Sequence, residues 1–436
     1  MKHKPFIPLC LALLATGLHA QSQDPAAPIP APERKSVAVQ AARPISTPAT
    51  DQEIKVNSKK AAQYTAIDPF RLVGQNQMAR AVRDGKVGYI NQNYREKIPC
   101  KYDSVGPFVL ISDNIYAPVI RSGKKGYVNT NGTEVVRCRY DSLGTFFRIG
   151  DAIAAKAYLA GKTGYVTISG KETVPLKYDS IDPFCQYASK VLAHACQEGK
   201  WGYISIQGKA VVPCRYDLIH PFETIRGEWL ARADREGLWG LVNLEGKEQV
   251  PCRYDLIQAF LDLGNTCLAK VAVGPHWGYV DLWGKNVVPA KYDIVENYII
   301  VGRTPLCYAR LNGHWGLIGI EGKEMAPCKY DDIQGFELLG GAPMARAQRD
   351  SLWGYLDLAG KERIPCRYTV FGSFVQVDAV TVAKVQRKGK WGYVGTDGSE
   401  VIPAKYDSIT DFENGLATVT KKGKTYQINI RDKKVR

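Results

Sequence analysis

The sequence predicts an all-β protein built from tandem repeats. A glycine recurs every 38 residues, at 88, 126, 164, 202, 240, 278, 316, 354 and 392. A tyrosine lies 14 residues after each of these glycines. Apolar and polar residues alternate within the units, as in Val136, Cys138 and Tyr140, which share one face of a half-buried strand. Such regularity indicates that each unit packs on its neighbours in one repeated geometry.

Each unit is predicted to be a three-stranded β-meander, because glycine turns such as 199–200 and 244–247 divide it into three short strands. Tyr64 and Phe70 extend the period before the first glycine, and Gly423 extends it after the last. We therefore expect nine full units with half units at both ends, over residues 61–430. Closed propellers typically have about 4–8 blades, so the unit count favours an open superhelical solenoid, with a closed propeller-like ring as the alternative.

The N-terminal 60 residues differ from the repeats in composition. Residues 1–20 begin with Lys2 and Lys4, continue as an apolar run and end on Ala20, as a secretory signal peptide does. An uncleaved anchor is the alternative. Residues 21–60 are rich in Pro, Ala and Gln, which predicts a disordered linker. No later stretch is apolar enough to span a membrane, so we expect an exported protein in the periplasm, on the cell surface or in the medium.

The formal net charge of +15 lies mostly at the ends of the chain. Residues 1–60 carry +4 and residues 421–436 carry +6, which leaves +5 for the 360 residues between them. This distribution argues against nucleic acid as a partner. The basic tail 431–436 is expected to be solvated, with contact to an anionic surface as the alternative.

A basic residue precedes each periodic tyrosine, and an aspartate follows eight of the nine. Two rows of opposite charge side by side predict a neutralised ladder between units rather than a stripe that binds a polyanion.

Trp-Gly pairs mark the last six units, at Trp201-Gly202, Trp239-Gly240, Trp277-Gly278, Trp315-Gly316, Trp353-Gly354 and Trp391-Gly392. Together with the following Gly-Lys-Glu and Val-Pro-Cys-Arg-Tyr-Asp segments, these pairs resemble the WG-repeat family of bacterial, often exported or surface-associated proteins. The first three units have Val87, Lys125 and Thr163 in place of the tryptophan. The resemblance implies a repeated β-structure without a shared activity, cofactor or catalytic residue. We expect the Trp-Gly pairs and tyrosines such as Tyr216, Tyr254 and Tyr292 to form the repeat core.

Ten cysteines follow the predicted signal peptide, an even number for an oxidising compartment. Six of them share one repeat position, which holds Leu or Ala in the other units: Cys100, Cys138, Cys214, Cys252, Cys328 and Cys366. They are interpreted either as small core residues or as disulfides between adjacent units, 100–138, 214–252 and 328–366. The other four could form two local disulfides, Cys185 with Cys196 and Cys267 with Cys307.

The sequence contains no catalytic, metal-binding or phosphate-binding motif, so we expect no cofactor and no enzymatic activity. The segments after each periodic Phe, such as 185–195 and 261–273, vary most between units and are the predicted contact surface. Trp229 and Trp283 lie outside the periodic tryptophan position and are possible ligand contacts. The first functional hypothesis is a binding module for a protein or an envelope glycan. A structural spacer is the second, and a glycan-processing enzyme is the third.

Overall fold

A computed structural model describes residues 38–45 and 58–435 of the chain. The predicted signal peptide 1–20, the rest of the predicted linker and Arg436 lie outside these residues. The described chain is almost entirely β-structure, with a single four-residue helix at Ser58–Ala61 within those ranges. None of the described helical residues forms a segment long and apolar enough to cross a membrane.

Ten small antiparallel sheets follow one another along the described chain, and we number them in chain order. Sheet 1 contains Ala66–Ile67, Arg71–Val73, Asn76–Arg83, Lys86–Asn91 and Glu96–Tyr102. Sheet 2 contains Ser104–Val105, Val109–Ile111, Asn114–Arg121, Lys124–Asn129 and Glu134–Tyr140. Sheet 3 contains Ser142–Leu143, Phe147–Ile149, Ala152–Leu159, Lys162–Thr167 and Glu172–Tyr178.

The next three sheets repeat this pattern. Sheet 4 contains Ser180–Ile181, Cys185–Tyr187, Lys190–Gln197, Lys200–Ser205 and Ala210–Tyr216. Sheet 5 contains Leu218–Ile219, Glu223–Ile225, Glu228–Arg235, Leu238–Asn243 and Glu248–Tyr254. Sheet 6 contains Leu256–Asp262, Cys267–Val273, His276–Asp281 and Asn286–Tyr292.

The last four sheets complete the series. Sheet 7 contains Ile294–Val295, Ile299–Val301, Thr304–Leu311, His314–Gly319 and Glu324–Tyr330. Sheet 8 contains Asp332–Leu339, Ala342–Arg349, Leu352–Asp357 and Glu362–Tyr368. Sheet 9 contains Val370–Val377, Val380–Arg387, Lys390–Gly395 and Glu400–Tyr406. Sheet 10 contains Ser408–Ile409, Leu416–Lys421 and Lys424–Asn429.

Each complete sheet is a meander of four strands, one more than the sequence predicted. We call these the edge strand, the second strand, the glycine strand and the tyrosine strand, in chain order. The edge strand pairs with the second strand and is split into two short pieces in sheets 1–5 and 7, whereas it is continuous in sheets 6, 8 and 9. The predicted N-terminal half unit supplies the first part of sheet 1, and sheet 10 has no tyrosine strand.

A close approach of two backbones explains the periodic glycine. In sheet 5 the register passes from Trp239↔Tyr254 to Leu241↔Val250, so the tyrosine strand contains a bulge opposite Gly240. A Cβ atom at Gly240 would lie 2.5 Å from the carbonyl oxygen of Val250. Pro251 lies within the bulge, where its missing N–H costs no ladder hydrogen bond. The glycine and the proline of each unit therefore follow from one local geometry.

The core lies between successive sheets. One cluster joins Tyr203 and Tyr216 of sheet 4 to Phe222 and Ala233 of sheet 5, all buried. The ring of Tyr203 also lies 4.8 Å from that of Phe222, measured between centroids. Because no sheet can cover its own apolar face, each depends on its neighbour for burial.

Two short strands lie within the segment that we predicted to be disordered. Ala38–Gln40 pairs antiparallel with Phe147–Ile149 of sheet 3, and Ala42–Pro44 pairs antiparallel with Val109–Ile111 of sheet 2. We call residues 38–45 the strap. The prediction of disorder is therefore wrong for these eight residues, because they bind edges that only the folded repeats provide.

The basic tail packs against sheet 10, while its basic side chains Arg431, Lys433 and Lys434 stay exposed. Asp432 accepts hydrogen bonds from Lys405 and from the hydroxyl of Tyr406. The backbone N–H of Val435 donates to the carbonyl of Gln427 at 2.9 Å. Residues 431–435 thus fold against sheet 10, since Asp432 takes the place of the acidic residue that a further sheet would supply.

Candidate functional site

The predicted contact segments lie only partly on the outer edge of the sheets. The segment 185–195 runs from the edge strand Cys185–Tyr187 around a turn into the second strand of sheet 4. The segment 261–273 occupies the same place in sheet 6. The second-strand part of each segment is largely buried, as for Leu192 and Leu268. Only the edge-strand part and the turn that follows it can therefore form a contact surface.

The edge strand of sheet 7 presents backbone groups outward. Ile300 lies opposite Pro305 of the second strand. Proline has no N–H, so this pair is of the type that exchanges no hydrogen bonds, and the N–H and C=O of Ile300 point away from the sheet. Leu338 of sheet 8 lies opposite Pro343 in the same arrangement. These edges can hydrogen-bond to one further strand.

Exposed apolar side chains accompany these backbone groups. Ile300 is 65% exposed, and Leu338 at the equivalent position of sheet 8 is 74% exposed. The same position holds Leu72 and Leu110, which are 40% and 37% exposed, and it is polar or charged in sheets 3 to 6 and in sheet 9, as in Arg148 and Gln376. Sheets 7 and 8 thus carry the most exposed apolar side chains at this position, and adjacent exposed apolar groups mark a binding surface more often than isolated ones do.

The strap shows how such an edge is occupied. The N–H groups of Ala41 and Ala42 point to the carbonyl of Phe146, at 3.0 and 3.2 Å, and the N–H of Ile45 points to that of Phe108 at 3.4 Å. Ala42 is buried in the cluster that contains Ile111 and Phe146. The strap therefore adds both hydrogen bonds and apolar contacts to two consecutive edges.

The two predicted contact tryptophans differ in their surroundings. Trp283 lies in the turn after the glycine strand of sheet 6 and is 66% exposed. Trp229 is half-buried, and its ring centroid lies 5.8 Å from that of Tyr187 in sheet 4. Trp229 packs between sheets beside the edge, so only Trp283 presents most of its ring to solvent.

The Trp-Gly positions are structural. The six periodic tryptophans are half-buried on the glycine strands, and several stack against a basic or imidazole group. Trp201 stacks on His194 with 4.3 Å between ring centroids, and the guanidinium of Arg346 lies 4.3 Å from the centroid of Trp353. Such cation–π contacts stabilise the sheet surface.

The periodic tyrosines join consecutive sheets. The hydroxyl of Tyr292 donates to Glu324 of sheet 7 at 2.7 Å, and Tyr216 donates likewise to Glu248 of sheet 5 at 3.0 Å. Tyr254 uses Asn286 in the same way at 2.7 Å. Burial is the main cause that raises the pKa of Tyr216, to about 12. Burial also raises the pKa of Tyr292, so the hydroxyls of Tyr216 and Tyr292 are neutral donors at physiological pH.

Seven of the nine basic residues before the tyrosines form ion pairs among the described residues, although with other acids than predicted. Arg215 and Arg235 contact Glu248 at 3.1 and 2.7 Å. Glu248 lies in the next sheet, 33 residues after Arg215. The aspartates after the tyrosines serve the turns instead: Asp217 contacts Lys200 and accepts a hydrogen bond from the N–H of Glu236 at 2.7 Å. The sequence pairs the two rows because residues two apart share a strand face, but the stacking of sheets brings Glu248 to Arg215, and the turn before Gly202 brings Lys200 to Asp217.

The cysteines carry reduced thiols, and none of the predicted pairs forms a disulfide in the described chain. The thiol of Cys252 lies 3.5 Å from the carbonyl of Ala233, and that of Cys366 lies 3.6 Å from the carbonyl of Ala347, each within its own sheet. Burial is the main cause that raises the pKa of Cys366 to about 11. The sulfur atoms fill the bulge side of the core, in accordance with the interpretation as small core residues. The thiols of Cys100, Cys214 and Cys328 contact the equivalent carbonyls of Ala81, Ala195 and Ala309. Reduced thiols are also found at Cys138, Cys185, Cys196, Cys267 and Cys307.

Within residues 38–45 and 58–435, no three His, Cys, Asp or Glu side chains form a group suited to a metal ion.

Comparison with known proteins identifies the family. The model of the WG containing repeat matches residues 88–124, 126–154, 164–200, 201–227, 239–270, 277–299, 315–352, 353–391 and 391–424. No curated protein matches the sequence.

Solved structures give only weak likenesses. Apo AztD from Citrobacter koseri is 15% identical with a TM-score of 0.20, and the alignment covers 74% of this chain and 90% of that one. The extracellular domain of BT4673 from B. thetaiotaomicron is 8% identical with a TM-score of 0.18, over 84% of this chain and 65% of that one. Kluyveromyces lactis Hsv2p is 8% identical with a TM-score of 0.17, over 54% and 88%. TM-scores this low support no argument about function. The repeat matches, in contrast, cover well over half of the sequence, and the chain belongs to the family of proteins with the WG containing repeat.

Proposed function

We propose that this protein is a non-catalytic binding module of the bacterial envelope or exterior, which recognises a protein or an envelope glycan through the edge strands of its repeats. The carrying observation is the exposed apolar pair Ile300 and Leu338, which lies on the segment that varies most between units. Exposed apolar groups on an edge strand favour pairing and aggregation unless a partner covers them. Their presence at the same position of two consecutive sheets supports a role in binding.

An exported location and an open superhelical solenoid are part of this proposal. The sequence of residues 1–20 supports export. The described strand pairs join strands within one sheet or join the strap to sheets 2 and 3, and none of them links sheet 1 to sheet 10. An open array would expose its edge strands along its length and so give a partner an extended surface.

The test is a retention experiment with a matched control. The full chain, the double variant Ile300→Ser, Leu338→Ser and the control Leu218→Ser, Leu256→Ser are immobilised. The control residues are 42% and 40% exposed and lie at the start of the edge strands of two consecutive sheets. Each protein is exposed to envelope proteins and to an array of envelope glycans.

We expect a protein or glycan that the full chain and the control retain and for which the retention by the double variant is at least tenfold lower. Equal retention by all three proteins contradicts binding through the edge. No retained species with any of them favours the structural spacer instead.

A further inference from the structure

The strap advances by four residues for each sheet that it crosses. Ala38 pairs with Ile149 and Ala42 with Ile111, and these two partners occupy equivalent positions in sheets 3 and 2. Val39 and Arg43 pair with Arg148 and Leu110, which are also equivalent. An extended peptide with a four-residue period thus meets the same position on successive edges.

The same arithmetic locates the corresponding positions in sheets 7 and 8. Val301 and Leu339 correspond to Ile111 and Ile149, and Ile300 and Leu338 correspond to Leu110 and Arg148. Leu110, beside the strap, is 37% exposed, whereas Ile300 is 65% exposed and Leu338 is 74% exposed. No strand among the described residues pairs with the outer side of these two edges.

We infer that the edges of sheets 7 and 8 bind an extended peptide segment of a partner protein, which adds as an antiparallel strand with apolar side chains four residues apart. The inference rests on the proposed function and names its partner class and binding mode. Backbone hydrogen bonds to Ile300 and Leu338 supply the pairing, as in other cases of strand addition. The side chains of Ile300 and Leu338 supply the selectivity. Both are apolar, whereas the equivalent residue in sheet 3 is Arg148, so they favour apolar side chains in the ligand.

The chemistry of the ligand follows from the register. Its residues opposite Leu339 and Val301 face the clefts between sheets, where the strap has Ala38 and Ala42. Its residues opposite Leu338 and Ile300 face apolar side chains, where the strap has Val39 and Arg43. A suitable probe is therefore a labelled dodecapeptide with the sequence of residues 36–47 and the change Arg43→Leu.

The experiment measures binding of this peptide to the full chain by fluorescence anisotropy. The double variant Ile300→Pro, Leu338→Pro removes two outward N–H groups without removing a hydrogen bond within the sheets. Thr224→Pro is the matched control, because Thr224 holds the equivalent position in sheet 5. Thermal unfolding verifies that all variants fold, and the second pair Ile300→Ser, Leu338→Ser keeps the backbone donors.

We expect saturable binding that weakens at least tenfold in the proline double variant and about threefold in the serine double variant, and that stays unchanged in Thr224→Pro. A photoreactive group opposite Ile300 should crosslink to residues 299–301. Absent binding, an unchanged affinity of the proline variant, or crosslinks to 109–111 through displacement of the strap would each overturn the inference. Retention of another partner in the earlier experiment would then leave the proposed function standing.

Discussion

Within each sheet the tyrosine strand and the edge strand follow different rules. The nine periodic tyrosines are all at most 2% exposed. The central position of the edge strand, in contrast, holds Leu72, Arg148, Thr224, Ile300 or Gln376 in different sheets. The tyrosine of each tyrosine strand packs its ring into the core between two sheets, and in several sheets it also donates its hydroxyl hydrogen to the next sheet, as Tyr292 does to Glu324. A change at this position therefore disturbs a contact between repeats. Outside sheets 2 and 3, where the strap binds, the edge strand is paired on one side only among the described residues, and selection for packing leaves its other side open to vary.

A methyl group at the periodic glycine should have the largest effect on this contrast. Gly240→Ala forces a Cβ atom to within 2.5 Å of the carbonyl of Val250, and we expect a loss of about 3 kcal/mol in the free energy of unfolding, at the upper end for overpacking. Urea unfolding measures it. Gly335→Ala is the control on the edge strand of sheet 8, where a Cβ atom would meet nothing within 4 Å. Equal losses for both variants would contradict the distinction between the two strands.

Removal of one tyrosine hydroxyl should cost less. In Tyr292→Phe, Glu324 loses the hydrogen bond that it accepts at 2.7 Å, and we expect a loss of about 1.5 kcal/mol, as for hydrogen bonds to charged groups. The control is Tyr158→Phe, whose ring is 38% exposed and which should change stability by less than about 0.5 kcal/mol. Similar urea midpoints for Tyr292→Phe and the unaltered protein would show that the hydroxyl contributes nothing to the contact between sheets.

Acid should weaken the same contacts gradually. The hydrogen bond from Tyr292 is the main cause that lowers the pKa of Glu324 from its ordinary 4.5, and Lys291 lowers it further, against the opposing effect of burial. A carboxyl whose pKa is lower in the folded state stabilises the protein above its unfolded pKa, and this contribution is lost as the pH falls through the folded pKa. The urea midpoint should therefore decrease from pH 5 to pH 3, and less steeply in Glu324→Gln. An identical slope for that variant would assign the acid sensitivity to other carboxyls.

The sequence predicted what is periodic and local. The glycine at 240, the proline at 251 and the buried Tyr254 recur at fixed spacing, so their roles in a β-repeat could be inferred, and the family match confirms the repeat. The edge strand escaped prediction because in six of the nine complete sheets it is split into pieces of two or three residues, as in Leu218–Ile219 and Glu223–Ile225. Strands this short contain too few residues to show an alternation.

Contacts between distant parts of the chain could not be predicted in the same way. Arg215 meets Glu248 through the stacking of two sheets, while the sequence places Asp217 nearer to it. The composition of the strap is typical of a disordered linker, because its Ala, Gln and Pro residues bury little apolar surface by themselves. Its order comes from Ile111 and Ile149, which lie in repeats that a local pattern does not include.

The strap also imposes an order of assembly. Ala38 pairs with Ile149, so in a chain that emerges N-terminus first the strap is made well before either of its sheets. At about 5–20 residues per second of synthesis, this interval lasts on the order of ten seconds, far longer than a hairpin needs to form. Closure of so long a loop is therefore a late event, and it occurs only after sheets 2 and 3 have formed. The strap can therefore dock only on a chain in which sheets 2 and 3 have already formed and lie next to each other.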